Sequence, residues 1–167
     1  GIVGPGKFDT IGSSASVHLI GAGSTSAKFD AIDTVDTVNG VFLLSDGATH
    51  TAPGGTLTVN AGGVVGGDGG VFDSVVTGAG DIAPGLSVGA ITIEDALSLS
   101  GTYQWELGAL SSSTSGPAGT PGTDWDFAQS NSGASDISGL TLDVSFIDAV
   151  MGGPDDPVNE AFWAEDH

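Results

Sequence analysis

Lys7-Phe8-Asp9-Thr10-Ile11 and Lys28-Phe29-Asp30-Ala31-Ile32 are nearly the same string, set 21 residues apart. Val17, Val38 and Val59 keep the same interval, so a unit of roughly 20 residues recurs. A unit that short cannot enclose a core alone. It has to stack on its neighbours, so the repeat predicts a solenoid in which each unit is one winding and the working surface is the long outside.

The residues suit strands better than helices. Twenty-nine glycines stand among many Ser, Thr, Ala and Val residues, a chemistry of short strands and tight turns. At 167 residues, with 39% hydrophobic side chains, the chain is long enough for one continuous core. We read residues 1–167 as a single β-solenoid domain. A polar Ser/Gly/Pro loop at 111–122 protrudes from it, and an aromatic-rich end spans 123–167.

Alternation is clean through Thr56-Leu57-Thr58-Val59, Gly89-Ala90-Ile91-Thr92-Ile93, Ala96-Leu97-Ser98-Leu99 and Tyr103-Gln104-Trp105-Glu106-Leu107. Each places every second side chain on one face, as a half-buried strand requires. The glycine clusters Gly62-Gly63, Gly66-Gly67, Gly69-Gly70 and Gly78-Ala79-Gly80 then read as corners. Alternation resumes at Asp124-Trp125-Asp126-Phe127 and at Leu140 to Phe146. From Phe29 to Gly40 an apolar residue is followed every third position by Asp or Asn. That period fits neither a flat strand nor a regular helix, so bends are expected there, with the aspartates outside; a short surface helix is the alternative.

Charge removes whole classes of partner. Twenty-one acids face two lysines and no arginine, a net charge of −19. Such a surface repels phosphate backbones and anionic lipid, so nucleic acid is not an expected partner. No run approaches the ~18 apolar residues of a spanning helix, and membrane insertion is not expected. Cysteine is absent, so disulfides and thiolate metal sites play no part. The chain starts with Gly1 and carries no basic-then-apolar leader, which reads as a processed product or a piece of a longer protein.

Gly54-Gly55-Thr56-Leu57-Thr58-Val59-Asn60-Ala61-Gly62-Gly63, then Gly80-Asp81-Ile82-Ala83-Pro84-Gly85 and Gly89-Ala90-Ile91-Thr92-Ile93, resemble the autotransporter-associated β-strand repeat of large secreted bacterial proteins. The Phe-Asp-Thr-Ile and Phe-Asp-Ala-Ile units resemble its earlier coils. Gly122-Thr123-Asp124-Trp125-Asp126-Phe127 resembles the strand after its variable loop. The resemblance implies an all-β, right-handed parallel β-helix. It implies export to the cell surface or exterior and a role as stalk, adhesin or surface polymer. It brings no catalytic residues, and the chain lacks the membrane barrel of autotransporters.

Site chemistry is sparse. Asp30, Asp33 and Asp36 are a candidate edge for Ca²⁺, a hard cation that takes oxygen ligands, against the plainer reading of solvated acids. Gly66-Gly67-Asp68-Gly69-Gly70-Val71-Phe72-Asp73 approaches a calcium-binding nonapeptide, but Val71 stands where the ligating acid belongs. Tyr103, Trp125 and Trp163 are candidate sugar-stacking platforms, with core packing as the plainer reading. Asp155-Asp156 and Asp124-x-Asp126 are paired acids of the kind glycosidases use. In a chain so acidic, chance adjacency explains them, and no enzymatic activity is expected. His18, His50 and His167 are scattered without metal spacing. Thr56, Thr58 and Thr92 do not recur at every winding, so β-propensity accounts for them better than an ice-binding ladder. The expected function is a rigid rod for display, adhesion or filament assembly. Its partners are copies of itself joined head to tail, or surface and matrix components. A carbohydrate-binding or polysaccharide-degrading β-helix is the alternative.

Overall fold

The computed structural model describes residues 6–21, 31–108 and 120–146. They form three parallel sheets that the chain visits in turn. The first winding supplies β1 (Thr10–Ile11) and β2 (Ser16–Ile20); the second, β3 (Thr37–Val38), β4 (Val41–Ser45) and β5 (Thr49–His50). The third contributes β6 (Thr56–Val59), β7 (Val64–Gly67) and β8 (Gly70–Phe72), and the fourth β9 (Val75–Gly78), β10 (Asp81–Pro84) and β11 (Ala90–Ile93). After β12 (Leu97–Leu99), β13 (Thr102–Leu107) and β14 (Phe127–Ser130), a sixth winding adds β15 (Thr141–Phe146). The sheets run β1-β3-β6-β9-β12, β2-β4-β7-β10-β13-β15 and β5-β8-β11-β14. This is the parallel β-helix that the repeat and strand patterns predict. Between the windings no α-helix occurs among the described residues, and Ala31–Thr34 makes turns rather than the short surface helix.

The core is a set of in-register columns. Val17, Phe42, Val65, Ile82, Tyr103 and Leu142 stand one above another along one sheet. On a second, Val38 and Val59 stack, as do Leu57, Val76 and Leu97. Phe42 meets Phe72 edge to face at 5.8 Å and His50 likewise at 4.9 Å. Phe42, Leu57, Val59, Phe72, Val76, Ile82 and Ile93 are all fully buried. Each such side chain contributes about 1.5–3 kcal/mol, and no single winding could bury them alone.

Register departs from the sequence reading in four places. The matching strings do not meet in the register of their match: Phe8 donates its amide to Ala31, and Thr10-Ile11 pairs with Thr37-Val38, 27 residues on. Val17 belongs to a different sheet from Val38 and Val59 and pairs with Phe42. Windings vary in length because corners absorb residues that strands do not, so a constant interval misplaces some rungs. Gly66-Gly67 is strand, not corner. A Cβ on Gly67, whose φ is 118°, would collide with the Leu44 carbonyl, and one on Gly66 with that of Ala83. Glycine is there for close approach between windings. Asp124-Trp125-Asp126 is turn and bridge, and the strand starts at Phe127.

A further correction concerns hydroxyls. Thr10, Thr37, Thr58, Thr77 and Ser98 pair in succession, one in every rung of the five-stranded sheet. A hydroxyl therefore does recur at each winding. It makes one column only, because Thr56 faces Val75 and Thr92 lies between Val71 and Gln129.

Candidate functional site

Acid side chains do much of the joining between windings. An Asp68 oxygen accepts the Ala90 amide at 3.2 Å, and Asp81 accepts that of Thr102 at 2.7 Å, 22 and 21 residues on. Thr51 donates to Asp73 at 3.1 Å, and Asn131 to Glu94 at 2.7 Å. A parallel stack offers backbone N–H groups at strand starts that nothing on their own winding satisfies, and a carboxylate on an adjacent winding reaches them.

Asp126 is the deepest of these groups, with only 2% of its surface exposed. Oδ1 accepts the Gly89 amide at 2.8 Å and Oδ2 the Glu106 amide at 2.9 Å, while the Trp105 indole donates to its carbonyl at 2.9 Å. One residue thus ties the entry to β14 onto the entry to β11 and onto β13. Burial pushes its pKa up to about 6, the Glu106 and Asp68 charges adding to it and the two amide bonds opposing. Burial, and after it Asp126, pushes the nearby Tyr103 phenol up to about 12. From sequence alone Asp126 reads as a chance neighbour of Asp124.

His18 Nε2 lies 2.9 Å from Ser45 Oγ, beside a cleft of about 280 Å³ walled by Asp46, Asp68, Leu86 and Ser87. A hydroxyl on an imidazole is the start of a nucleophile. Among the described residues the rest of the machinery is missing. The Asp46 and Gly47 amides are already spent on the Asp68 and Gly69 carbonyls, and the Asp46 and Asp68 carboxylates would repel an oxyanion rather than stabilise it. Ser45 Oγ also accepts the Asp68 amide at 3.2 Å, so the pair fastens β2 to the windings beyond. His50 is likewise structural. It is buried, and its Nε2–H donates to the Val35 carbonyl at 2.8 Å. Burial lowers its pKa, outweighing the Val35 bond and the Asp33 charge.

Of the proposed calcium edge, Asp33 is exposed and Asp36 is half-buried, accepting the Thr37 hydroxyl at 2.8 Å; Asp30 lies outside the described residues. Among the described residues no three His, Cys, Asp or Glu side chains gather as a metal would need. Of the proposed sugar platforms, Tyr103 lines an open cavity of about 440 Å³ at the β15 end, together with Trp105, Ile137, Leu140, Leu142 and Val144. Trp125 is half-buried and bridges Leu107 and Pro121 instead. Trp163, Asp155, Asp156 and His167 lie outside the described residues, as do positions 111–119 of the polar loop. Trp105 is the aromatic in the cavity that sequence reading passed over; its alternation with Tyr103 and Leu107 was the available signal.

Among the described residues, no helix is long and apolar enough to cross a membrane. Protein-family models, curated proteins and solved structures yield no match to this chain, so its parallel stack rests on its own strand pairing.

Proposed function

We propose that this chain is a rigid rod module working outside the cell, a stalk that spaces or displays other elements at the surface. The observation that carries this reading is the continuity of three parallel sheets over one core, with no cleft equipped for chemistry among the described residues. A stack fastened on three sides resists bending. The net charge of −19 keeps such a rod soluble and suits a saline, cation-containing exterior. The resemblance to autotransporter-associated strand repeats supports export. Immunogold labelling of intact, unpermeabilised source cells is the test. Label at the surface is expected, and label confined to opened cells would refute the reading.

A second reading is carbohydrate binding, favoured by Tyr103 and Trp105 in the apolar cavity at the β15 end. Aromatic faces in an open concavity are how a sugar ring is stacked. Glycan-array binding lost in Trp105→Ala, with the fold retained, would put this reading first.

A further inference from the structure

The two ends of the stack carry matching faces. At the start, Phe8, Ile11, Val17, Ile32 and Val35 line an apolar concavity of about 430 Å³. The cavity at the other end, with Leu142 and Val144, is about 440 Å³. Both belong to the same inward columns. Val17 begins, and Leu142 ends, the column that runs through Phe42, Val65, Ile82 and Tyr103. Inside the stack Phe42, Val65 and Ile82 are sealed, whereas Leu142 is 60% exposed and Val144 44%. The column stops on an aliphatic side chain with no rung over it among the described residues.

The strand edges fall at the same two ends, and Lys7 and Asp136 each stand at one of them. In the six-stranded sheet β2 is one edge and β15 the other; in the five-stranded sheet the edges are β1 and β12. The only two lysines of the chain fall within its first 28 residues, and Lys7 stands just before β1. At the opposite end Asp136, exposed, donates its amide to Leu97 of β12 at 2.8 Å. It therefore sits on the far edge of the sheet that Lys7 leads into.

We propose that the two ends are complementary halves of one contact through which a second copy of this chain continues the stack. β2 of one copy lies on β15 of the next, Val17 on Leu142, while β1 and Lys7 lie over the segment at Ser135 and Asp136 that already covers β12. This deepens the rod reading and rests on it. The edge amides and carbonyls of β15 and β2 gain partners in such a contact, and unlike ends that do not close on themselves repeat into a filament.

The test uses the full chain as an equal mixture of unlabelled and ¹⁵N-labelled protein, treated with a carbodiimide. With only two lysines, each cross-link is readable by mass. Lys7–Asp136 links joining a light chain to a heavy one are expected, with linear particles by electron microscopy. Leu142→Asp should weaken association about tenfold or more, and Lys7→Glu by a few-fold, with Lys7→Glu/Asp136→Lys restoring it. Linear particles indifferent to all three changes would overturn the proposed contact. So would Lys7–Asp136 links found only within one chain. Monomers at every concentration would do so too, and if Leu142→Asp then lowers their stability, residues 147–167 of the same chain cover the face. Small-angle scattering separates the two ideas: a rod-shaped monomer ends this contact and leaves the rod reading standing, while a compact sphere ends both.

Discussion

Replacing Asp126 with asparagine sets two effects against each other. Asparagine keeps the shape but turns one acceptor into an amino group facing a buried backbone N–H, at a cost of about 1–3 kcal/mol. It also removes a buried charge. Holding the carboxyl ionised against a pKa pushed from 3.8 to about 6 costs about 3 kcal/mol. Near neutral pH the two offset each other, so a single measurement there decides nothing. The pH dependence does decide. Because the folded pKa lies above the unfolded one, the folded state binds more protons between about 3.8 and about 6, and the carboxyl's contribution to stability rises as pH falls through that window. Between about pH 7 and about pH 4.5 the gain is about 2 kcal/mol in the parent chain and nil in Asp126→Asn. Urea unfolding followed by tryptophan emission suits the measurement, since the Trp105 indole donates to the Asp126 carbonyl. The stability difference between parent and variant should shift by about 2 kcal/mol against the variant on acidification. His50 titrates in both proteins and drops out. A difference that stays constant with pH would refute the dominance of burial over the two amide bonds at this carboxylate.

Gly67→Ala should cost about 3 kcal/mol or more, or prevent folding, because a Cβ at φ 118° meets the Leu44 backbone; Gly133→Ala, with open space around it, should leave the urea midpoint unchanged. His50→Leu should lose about 1–2 kcal/mol near neutrality, since the Val35 carbonyl is left without its donor. The same variant should lose a pH effect. The His50 pKa is lowered from 6.5 in the fold, so the unfolded chain binds the proton first and the contribution of His50 to parent stability falls as pH drops below that value. Thermal melts at stepped pH should show the stability difference between parent and His50→Leu shrinking on the acid side, the Asp126 titration being common to both.

The stack itself was legible, and the reason is physical. Leu57, Val59, Ile91, Ile93, Leu97 and Leu99 alternate because alternate side chains face one core, and glycine-rich breaks between such short runs leave little besides coiled strands. Pairing was less legible. Which residue lies above which depends on how many residues each corner absorbs, and Thr10 meets Thr37 rather than Ala31 for that reason. The hydroxyl column through Thr58 and Thr77 was hidden by the same variation. Gly66 and Gly67 read as corners because the demand for a bare backbone comes from Ala83 and Leu44, residues distant in sequence. Asp126 was illegible for a like cause: both its amide partners, Gly89 and Glu106, come from strands that only the fold brings to it.

The acid surplus also changes meaning once the windings are stacked. Taken along the chain, Asp68, Asp81 and Asp126 are charges without cations, and each should oppose compaction. Across the stack, each accepts a backbone N–H from another winding. Those amides carry the positive ends of peptide dipoles and need an acceptor in any case. A lysine could not serve, since it donates and does not accept. An asparagine could, but with one neutral acceptor and an amino group to place elsewhere. Where water still reaches the carboxylate, as at Asp68 and Asp81, it is therefore the stronger fastener of parallel windings at strand starts. The price is mutual repulsion along the rod, which salt screens within about 8–10 Å. A medium rich in ions removes the repulsion between exposed acids while leaving the buried bonds of Asp126 intact, and that asymmetry is the physical ground on which we propose an exterior setting for so acidic a stack.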